Sequence, residues 1–405
     1  MVFDEWYYVN AVRNILGRPM IFGYGENSTV VTNGSITKTM SVSYFELTSG
    51  RFNHNVTMFT DPNTEHPPLA KLIVAFSTVL LGESALAYRL PGVIFGTLLI
   101  LFFYLAAKKL VAERMALYAT ALLAFETLTL VQSRVFMLDI FMVSFMVLGL
   151  YLFLCKRVFL AGVVFGLSAL CKEMGVIGPL IVMTFWLLEQ RQTGGFRFRE
   201  TVEFVVKTVV GFALPVGLLM GAVAVWWGIG PVQQLLNITA LTRIGGTGYY
   251  SWDGAYVTVF NGVVQHVFGM VSPPWLWLLD SSVIEYANFA VGSTFVVNYV
   301  AEMNPFLVLN MLPAVFFSVM YYKHEHGRAD LFALVWWAWS YLIWFPVAAM
   351  GRPMYIFYML PVMGSIALMV SNMLFHLSVR PYVRCLFLLA VVAFMVLLFP
   401  IKLQL

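Results

Sequence analysis

Two adjacent carboxylates, Asp4 and Glu5, open a chain that otherwise avoids charge. Downstream come Glu65-His66-Pro67-Pro68-Leu69-Ala70-Lys71, then Arg89, then Arg134 with Asp139, then Lys172. A carboxylate can take the proton of a hydroxyl, and Arg, Lys and His can hold a phosphate or another developing anion. Together they gather carboxylates able to deprotonate a hydroxyl and cations able to hold a phosphate. Each also has a plainer use. Asp4 and Glu5 could cap a helix, since acids favour helix N-termini. Arg89, Arg134 and Lys172 could anchor helices at a membrane surface. His66 could simply open a Pro-Pro turn. Asp139 could be the structural partner of Arg134, and Glu126 reads as a buried structural group rather than a catalyst.

The elements that must position these residues are membrane helices. The chain has 405 residues, 60% hydrophobic and 11% charged, where soluble domains carry about 25% charged residues. A net charge of +4 is too small and too dispersed for a nucleic-acid partner. Cys155, Cys171 and Cys385 lie in or beside apolar runs, without metal spacing or an evident need to pair, so they read as packing residues. Apolar segments recur at 90–107, 115–132, 140–154, 158–170, 176–188, 205–227, 305–322, 331–349, 355–375 and 383–400. Residues 71–81 are apolar but too short to cross, and read as a helix lying in the interface.

The basic clusters at 108–114, 156–157, 191–199, 323–328 and 380–384 all fall on one side if these segments alternate, and that side is cytoplasmic by the positive-inside rule. The acidic pair, His66, Arg89, Arg134, Asp139 and Lys172 face the other side. So do the sequons at Asn27, Asn33, Asn55 and Asn237. The organisation that follows is a first exoplasmic loop over 1–88, helices over 89–227, a second exoplasmic loop over 228–298 and C-terminal helices over 299–405. Met1 then lies outside, so a further apolar span is expected upstream of Phe3.

The stretches Phe3-Asp4-Glu5, His66-Pro67-Pro68-Leu69-Ala70-Lys71 and Tyr88-Arg89-Leu90-Pro91 stand in order with Leu130-Val131-Gln132-Ser133-Arg134 and Met137-Leu138-Asp139. Residues 166–175, Ser272-Pro273-Pro274-Trp275-Leu276-Trp277 and residues 355–361 complete the series. In order and spacing the chain resembles the protein O-mannosyltransferases and their relatives, the aminoarabinose transferases. The resemblance implies an all-α polytopic membrane protein of the C-type glycosyltransferase fold, with about ten transmembrane helices and interfacial helices in the first loop. It implies a polyprenyl (dolichyl) phosphate sugar as donor, a protein or glycan acceptor, and inversion at the anomeric carbon. Carried over, Asp4 is the base and Glu5 supports it. His66, Arg89, Arg134 and Lys172 are the candidates for the donor phosphate.

Tyr249, Tyr250, Trp252 and Trp275 read as an aromatic belt, or as sugar and acceptor contacts. His54, Asp61, Glu65 and His66 match no strong metal signature, yet some C-type transferases use a divalent metal, so that option stays open. The β-trefoil insertion of the eukaryotic mannosyltransferases does not fit within 228–298. Two other readings share much of this pattern: a transferase of the same fold acting on a lipid or surface glycan, and a transporter or flippase. Charges deep along a central pathway would favour the transporter.

Overall fold

A computed structural model describes residues 5–22, 29–32, 35–38, 58–192, 194–195, 197–228, 233, 248–250, 256–260, 263–267, 271–279, 284–291, 295–398 and 401–404. Asp4, Trp252, His54 and the four sequon asparagines lie outside them.

Helix α1 (Glu5–Ile15) is followed by a small antiparallel sheet, β1 (Met20–Phe22), β2 (Thr29–Thr32) and β3 (Ser35–Lys38). Then come α2 (Leu69–Leu81), α3 (Ala85–Ala107), α4 (Glu113–Ala124), α5 (Thr127–Gln132), α6 (Leu138–Leu154) and α7 (Val158–Cys171). A 3-10 turn, Glu173–Val176, leads into α8 (Ile177–Gln192) and α9 (Phe198–Trp227). The second long loop carries β4 (Gly248–Tyr250), β5 (Tyr256–Phe260), β6 (Val263–Val267), β7 (Ile284–Val291) and β8 (Phe295–Ala301). The C-terminal part is α10 (Pro305–Leu309), α11 (Met311–Glu325), α12 (Arg328–Trp337), a π-turn (Ala338–Leu342), α13 (Trp344–Ala349), a 3-10 turn (Ile356–Met359), α14 (Leu360–His376), α15 (Pro381–Leu397) and β9 (Ile401–Gln404).

The apolar segments read from the sequence all fall on helices. Among the described residues, five helical stretches are long and apolar enough to cross a membrane: Ala85–Ala107, Phe198–Trp227, Pro305–Glu325, Arg328–Ala349 and Ile356–His376. Shorter apolar helices, Leu138–Leu154, Val158–Cys171 and Pro381–Leu397, stand with them. The protein is an integral membrane protein. Helix α14 is buried along its whole apolar window, whereas only 17% of that of α9 is covered, so α14 runs through the core and α9 faces lipid. Cys171 is buried as expected, but Cys385 is exposed, because α15 is peripheral and buries only Val391.

Helix α2 has 13 residues, about 20 Å of helix against the ~30 Å of a hydrocarbon core. Ala70, Lys71, Val74, Ala75 and Thr78 face protein, while Phe76, Val79 and Leu80 are exposed. This is the geometry of a helix lying on the bundle with one face toward lipid.

The single apolar segment 115–132 is in fact broken. Helix α4 ends at Ala124, and Glu126 starts α5 as its N-cap. The Glu126 carboxylate accepts from Leu128 N at 2.9 Å, Thr129 N at 2.6 Å, Thr129 Oγ1 at 2.7 Å and Asn304 N at 3.3 Å. Asn304 itself caps α10. One buried carboxylate thus satisfies amides at the starts of two helices, the structural role read from the sequence.

Helices α7 and α9 meet through glycines. A Cβ on Gly162 would lie 2.5 Å from Thr208 O, one on Gly211 2.4 Å from Phe159 O, and one on Gly166 2.5 Å from Phe212 O. Small residues spaced four apart let two membrane helices bring their backbones together. Gly211→Val is therefore expected to destabilise the protein by about 2–3 kcal/mol, the upper part of the overpacking range, because the clash is with backbone. A fall of several degrees in the thermal midpoint of the detergent-solubilised protein would show it. Gly217→Val on the same helix, where nothing lies within 4 Å, should change little. Equal effects of the two would contradict the close approach.

The two ends of the bundle differ in charge. At one end Lys108 and Tyr104 share Glu113, Arg328 pairs with Glu189, and Tyr118 OH donates to Arg384 O. These ties engage residues of the basic clusters at 108–114, 323–328 and 380–384. The other end gathers Glu5, His66, Arg89, Asp139, Lys172 and Glu173.

Candidate active site

Helix α1 begins on a buried carboxylate. Glu5, in its first turn and 1% exposed, accepts from Arg89 twice, Nε to Oε1 at 2.8 Å and Nη2 to Oε2 at 2.7 Å. It also accepts from Phe136 N at 3.1 Å. Arg89 stands near the start of α3, which Ser84 caps by accepting from Ala87 N. Phe136 lies in the turn between α5 and α6. Three segments far apart in sequence thus converge on one side chain. A bidentate Arg–carboxylate pair fixes orientation as well as charge. Glu5 consequently positions the start of α1; Asp4, the residue before it in the chain, is outside the described residues. The Arg89 side chain keeps 36% of its surface exposed.

One turn along α1, the Tyr8 ring packs against Phe136 at 5.8 Å and edge-on to His66 at 6.2 Å. His66 Nδ1 lies 2.8 Å from Glu173 Oε2. Burial would push the Glu173 carboxyl up, but His66 and then Lys172 outweigh it and hold it at about 2. Glu173 is therefore an anion under ordinary conditions, and His66 is held at the start of α2 by that anion.

Lys172, the residue after α7, donates to both oxygens of Asp139 at 2.8 and 2.9 Å. Both side chains are buried. Burial lowers the Lys172 pKa, yet Asp139, Tyr358 and Glu173 more than offset this and leave it above the ordinary value. The ammonium also lies 4.9 Å from the centre of the Phe357 ring and 5.5 Å from that of Tyr358. Its charge is thus met within the protein by a carboxylate and two aromatic faces. Asp139, which the sequence could pair with Arg134, has taken Lys172 instead.

The loop before α2 is tied by Lys71, fully buried. Its ammonium pairs with Asp61 and donates to Asn63 O at 2.5 Å and His66 O at 3.0 Å. Burial pushes Asp61 up and Lys71 down, against the attraction between them. Asp61 is therefore engaged by Lys71, and His66 by Glu173. Among the described residues no three His, Cys, Asp or Glu side chains are grouped to hold a metal ion.

Arg134 is exposed. It stands at the edge of a groove of about 560 Å³ between α3 and α4–α5, lined by Val93, Thr97, Leu101 and Thr129 among others. A second groove, of about 440 Å³, runs between α7 and α9 beside Pro67, with Glu173 at its edge. Of the aromatic residues, Tyr249 and Tyr250 belong to β4, though their side chains are not described. Trp275 is half-buried against the core. Trp277 is buried and donates to Ser272 Oγ at 2.9 Å, Ser272 N donates to Met354 O at 2.9 Å, and Tyr341 OH to Pro274 O at 2.8 Å. The Ser-Pro-Pro-Trp-Leu-Trp stretch is thereby a brace under the Tyr355–Tyr358 segment.

Sequence reasoning did not single out Tyr8, Asp61–Lys71 as a pair, Glu173, Phe357 or Tyr358. Lys71 and Glu173 stand inside stretches that were singled out, so the signal was there. Their buried partners were not visible.

Residues 65–220 match the family described as dolichyl-phosphate-mannose-protein mannosyltransferase. Over 81 residues the chain is 40% identical to the polyprenol-phosphate-mannose–protein mannosyltransferase of Corynebacterium glutamicum, a match covering 20% of this chain and 16% of that protein. Among solved structures, the S. cerevisiae protein O-mannosyltransferase Pmt1-Pmt2 complex bound to the sugar donor gives a TM-score of 0.58 at 12% identity, covering 99% of this chain and 86% of that one. ArnT from Cupriavidus metallidurans in the apo state gives 0.55 at 14% identity, covering 94% and 56%. The apo oligosaccharyltransferase of Archaeoglobus fulgidus gives 0.54 at 16% identity, covering 98% and 51%. The chain thus spans about half the length of the latter two and a small part of its curated relative.

Proposed function

We propose that this integral membrane protein, which has the fold of the C-type glycosyltransferases, transfers a sugar from a polyprenyl phosphate to an acceptor at the extracytoplasmic face. The finer reading is mannose as the sugar and a protein Ser or Thr hydroxyl as the acceptor. The observation that carries the proposal is the bidentate Glu5–Arg89 pair, pinned by Phe136 N at the end of the bundle away from the basic clusters. The charged groups of the site stand at helix ends, Glu5 in the first turn of α1, Arg89 near the start of α3, Asp139 in the first turn of α6 and Lys172 after α7, rather than along a central path, which counts against a transport pathway.

In this reading Asp4 takes the proton of the acceptor hydroxyl as its oxygen attacks the anomeric carbon. The new C–O bond forms opposite the bond to phosphate, which breaks and inverts that carbon. The lipid phosphate leaves as an anion, so it needs positive charge rather than a proton. Arg89 and His66 border the Glu5 end of the site. Arg134 is the cation at the mouth of an apolar groove, an arrangement that suits a phosphate with a hydrocarbon tail. The groove edged by Glu173 suits it less, because a carboxylate repels phosphate. Lys172 is engaged by Asp139, and its contribution is to the frame of the site.

Membranes carrying the protein, incubated with labelled lipid-phosphate mannose and Ser/Thr peptides, test the proposal. Asp4→Asn is expected to lower transfer by about 10²–10⁴-fold, the range for loss of a positioned base, with the protein still folded. Undiminished transfer would remove Asp4 from that role. Labelling of lipid or glycan in place of peptide would favour a transferase of the same fold acting on a lipid or surface glycan.

A further inference from the structure

His66 is held from three directions by groups that no step of the proposed reaction uses. Its ring meets the Glu173 carboxylate, Nδ1 to Oε2 at 2.8 Å. Its backbone oxygen accepts from the Lys71 ammonium at 3.0 Å, and that fully buried ammonium is paired with Asp61. On the α1 side, the Tyr8 ring stands edge-on to the imidazole. Pro67 and Pro68 follow at once. Their rings fix φ, so the chain has little freedom to move His66 off this point. Glu173 is placed as firmly. It opens the 3-10 turn after α7, and Gly175 N closes that turn on Lys172 O at 2.9 Å. A Cβ on Gly175 would lie 2.3 Å from Ala169 N, so the turn folds tightly onto the end of its own helix.

The pair fixes which nitrogen of the ring carries a proton. Burial would raise the Glu173 carboxyl, but His66 and then Lys172 hold it at about 2. A carboxylate has no proton to give, so Nδ1 is the donor in this hydrogen bond. The other nitrogen, Nε2, points to a different side of the ring and has no hydrogen-bond partner among the described residues. The side chain keeps 13% of its surface exposed. Asp61, the second carboxylate near the ring, is engaged by Lys71. Two carboxylates and a buried ammonium thus surround one imidazole, and they leave Nε2 as its open polar atom.

We infer that Glu173 is a positioning residue of the transfer site: it holds the His66 ring so that Nε2–H meets a phosphate oxygen of the lipid donor. This role rests on the proposed transfer from a lipid phosphate, and it belongs to a residue that touches no substrate itself. A phosphate at Nε2 puts an anion on each side of the ring, and the imidazolium is the form that donates from both nitrogens. The charge of Glu173 is spent on Nδ1, away from the phosphate. Lys71 and Asp61 serve the same end through the backbone carbonyl of His66.

The test is binding of farnesyl phosphate to the purified full chain in detergent, with farnesol, the same tail without the phosphate, as the second ligand. Glu173→Gln is nearly isosteric. It should weaken farnesyl phosphate about tenfold, the effect of losing about 1.4 kcal/mol of binding, and leave farnesol unchanged. His66→Ala should weaken farnesyl phosphate by at least about tenfold. The double variant should bind it no worse than His66→Ala, because Glu173 acts only through the ring. Glu173→Asp keeps the charge but shortens the reach. It should fall between Glu173→Gln and the unaltered protein, and it tests the role even if Glu173→Gln does not fold. Unchanged affinity for farnesyl phosphate in Glu173→Gln, a double variant about tenfold weaker again than His66→Ala, or an equal loss of farnesol binding would each overturn the assignment. The proposed reaction is tested apart from it. Glu173-dependent binding of farnesyl phosphate in a protein that transfers no mannose would sink the mannose reading and leave Glu173 in its role. Mannose transfer with the same Km for the lipid donor in Glu173→Gln would do the reverse.

Discussion

Glu5→Ala is expected to lower sugar transfer at least a hundredfold and to destabilise the protein by about 3 kcal/mol. The stability figure is the low end of the range for breaking a buried ion pair, because part of Arg89 stays solvated. The larger loss should be in transfer. Glu5 is the point at which α1, the start of α3 and the α5–α6 turn meet, and Asp4 is its neighbour in the chain. Without the carboxylate, Arg89 and Phe136 N lose their common acceptor and the first turn of α1 is no longer fixed. A displacement of about 1 Å in a reacting group is enough for losses of this size. Arg89→Lys should resemble Glu5→Ala more than a conservative change, since a lysine ammonium cannot reproduce the two parallel hydrogen bonds. Transfer rates and thermal midpoints measured side by side would check this. Full activity in Glu5→Ala would mean that the pair does not position the site.

The second large effect separates structure from chemistry at Lys172. Lys172→Met alone, or Asp139→Leu alone, leaves one buried charge without its partner and should cost about 3–5 kcal/mol. The double variant Asp139→Leu/Lys172→Met removes both charges. It should regain most of that stability, because replacing a whole buried pair with apolar groups is often neutral or better. Transfer in the double variant is then the informative readout. If Lys172 only frames the site, activity returns with stability. If the ammonium also contacts the donor phosphate, the double variant is stable but inactive, and the Km for the lipid donor rises in any residual activity. A double variant no more stable than the singles would contradict the pairing itself.

The membrane architecture was legible because the bilayer imposes it locally. Runs of apolar residues between basic clusters fix where helices lie and which ends share a side, and each can be read without knowing its neighbours. The short run ending at Leu81 was likewise legible, from length alone, as a helix too short to cross the hydrocarbon core. A break within an apolar run is harder to see. Glu126 interrupts 115–132, and nothing in the sequence says that Asn304 supplies one of its hydrogen bonds. The short sheets in the two long loops were not foreseen either, since pairing between strands is a non-local property.

For the site, the sequence by itself determined which ionisable groups stand at the edges of apolar segments, where charge is costly: Asp4, Glu5, His66, Arg89, Arg134 and Lys172. The tertiary structure alone decided what each of those charges meets. Glu5 meets Arg89 across 84 positions, His66 meets Glu173 across 107, and Lys172 meets Asp139 across 33. Arg134, of the same residue type as Arg89, lines a groove between α3 and α4–α5. The physical reason is that a charge at a membrane edge is set by its own residue type, whereas its neutralisation depends on helix packing, and packing depends on surfaces such as the glycines of α7 and α9 that carry no charge at all.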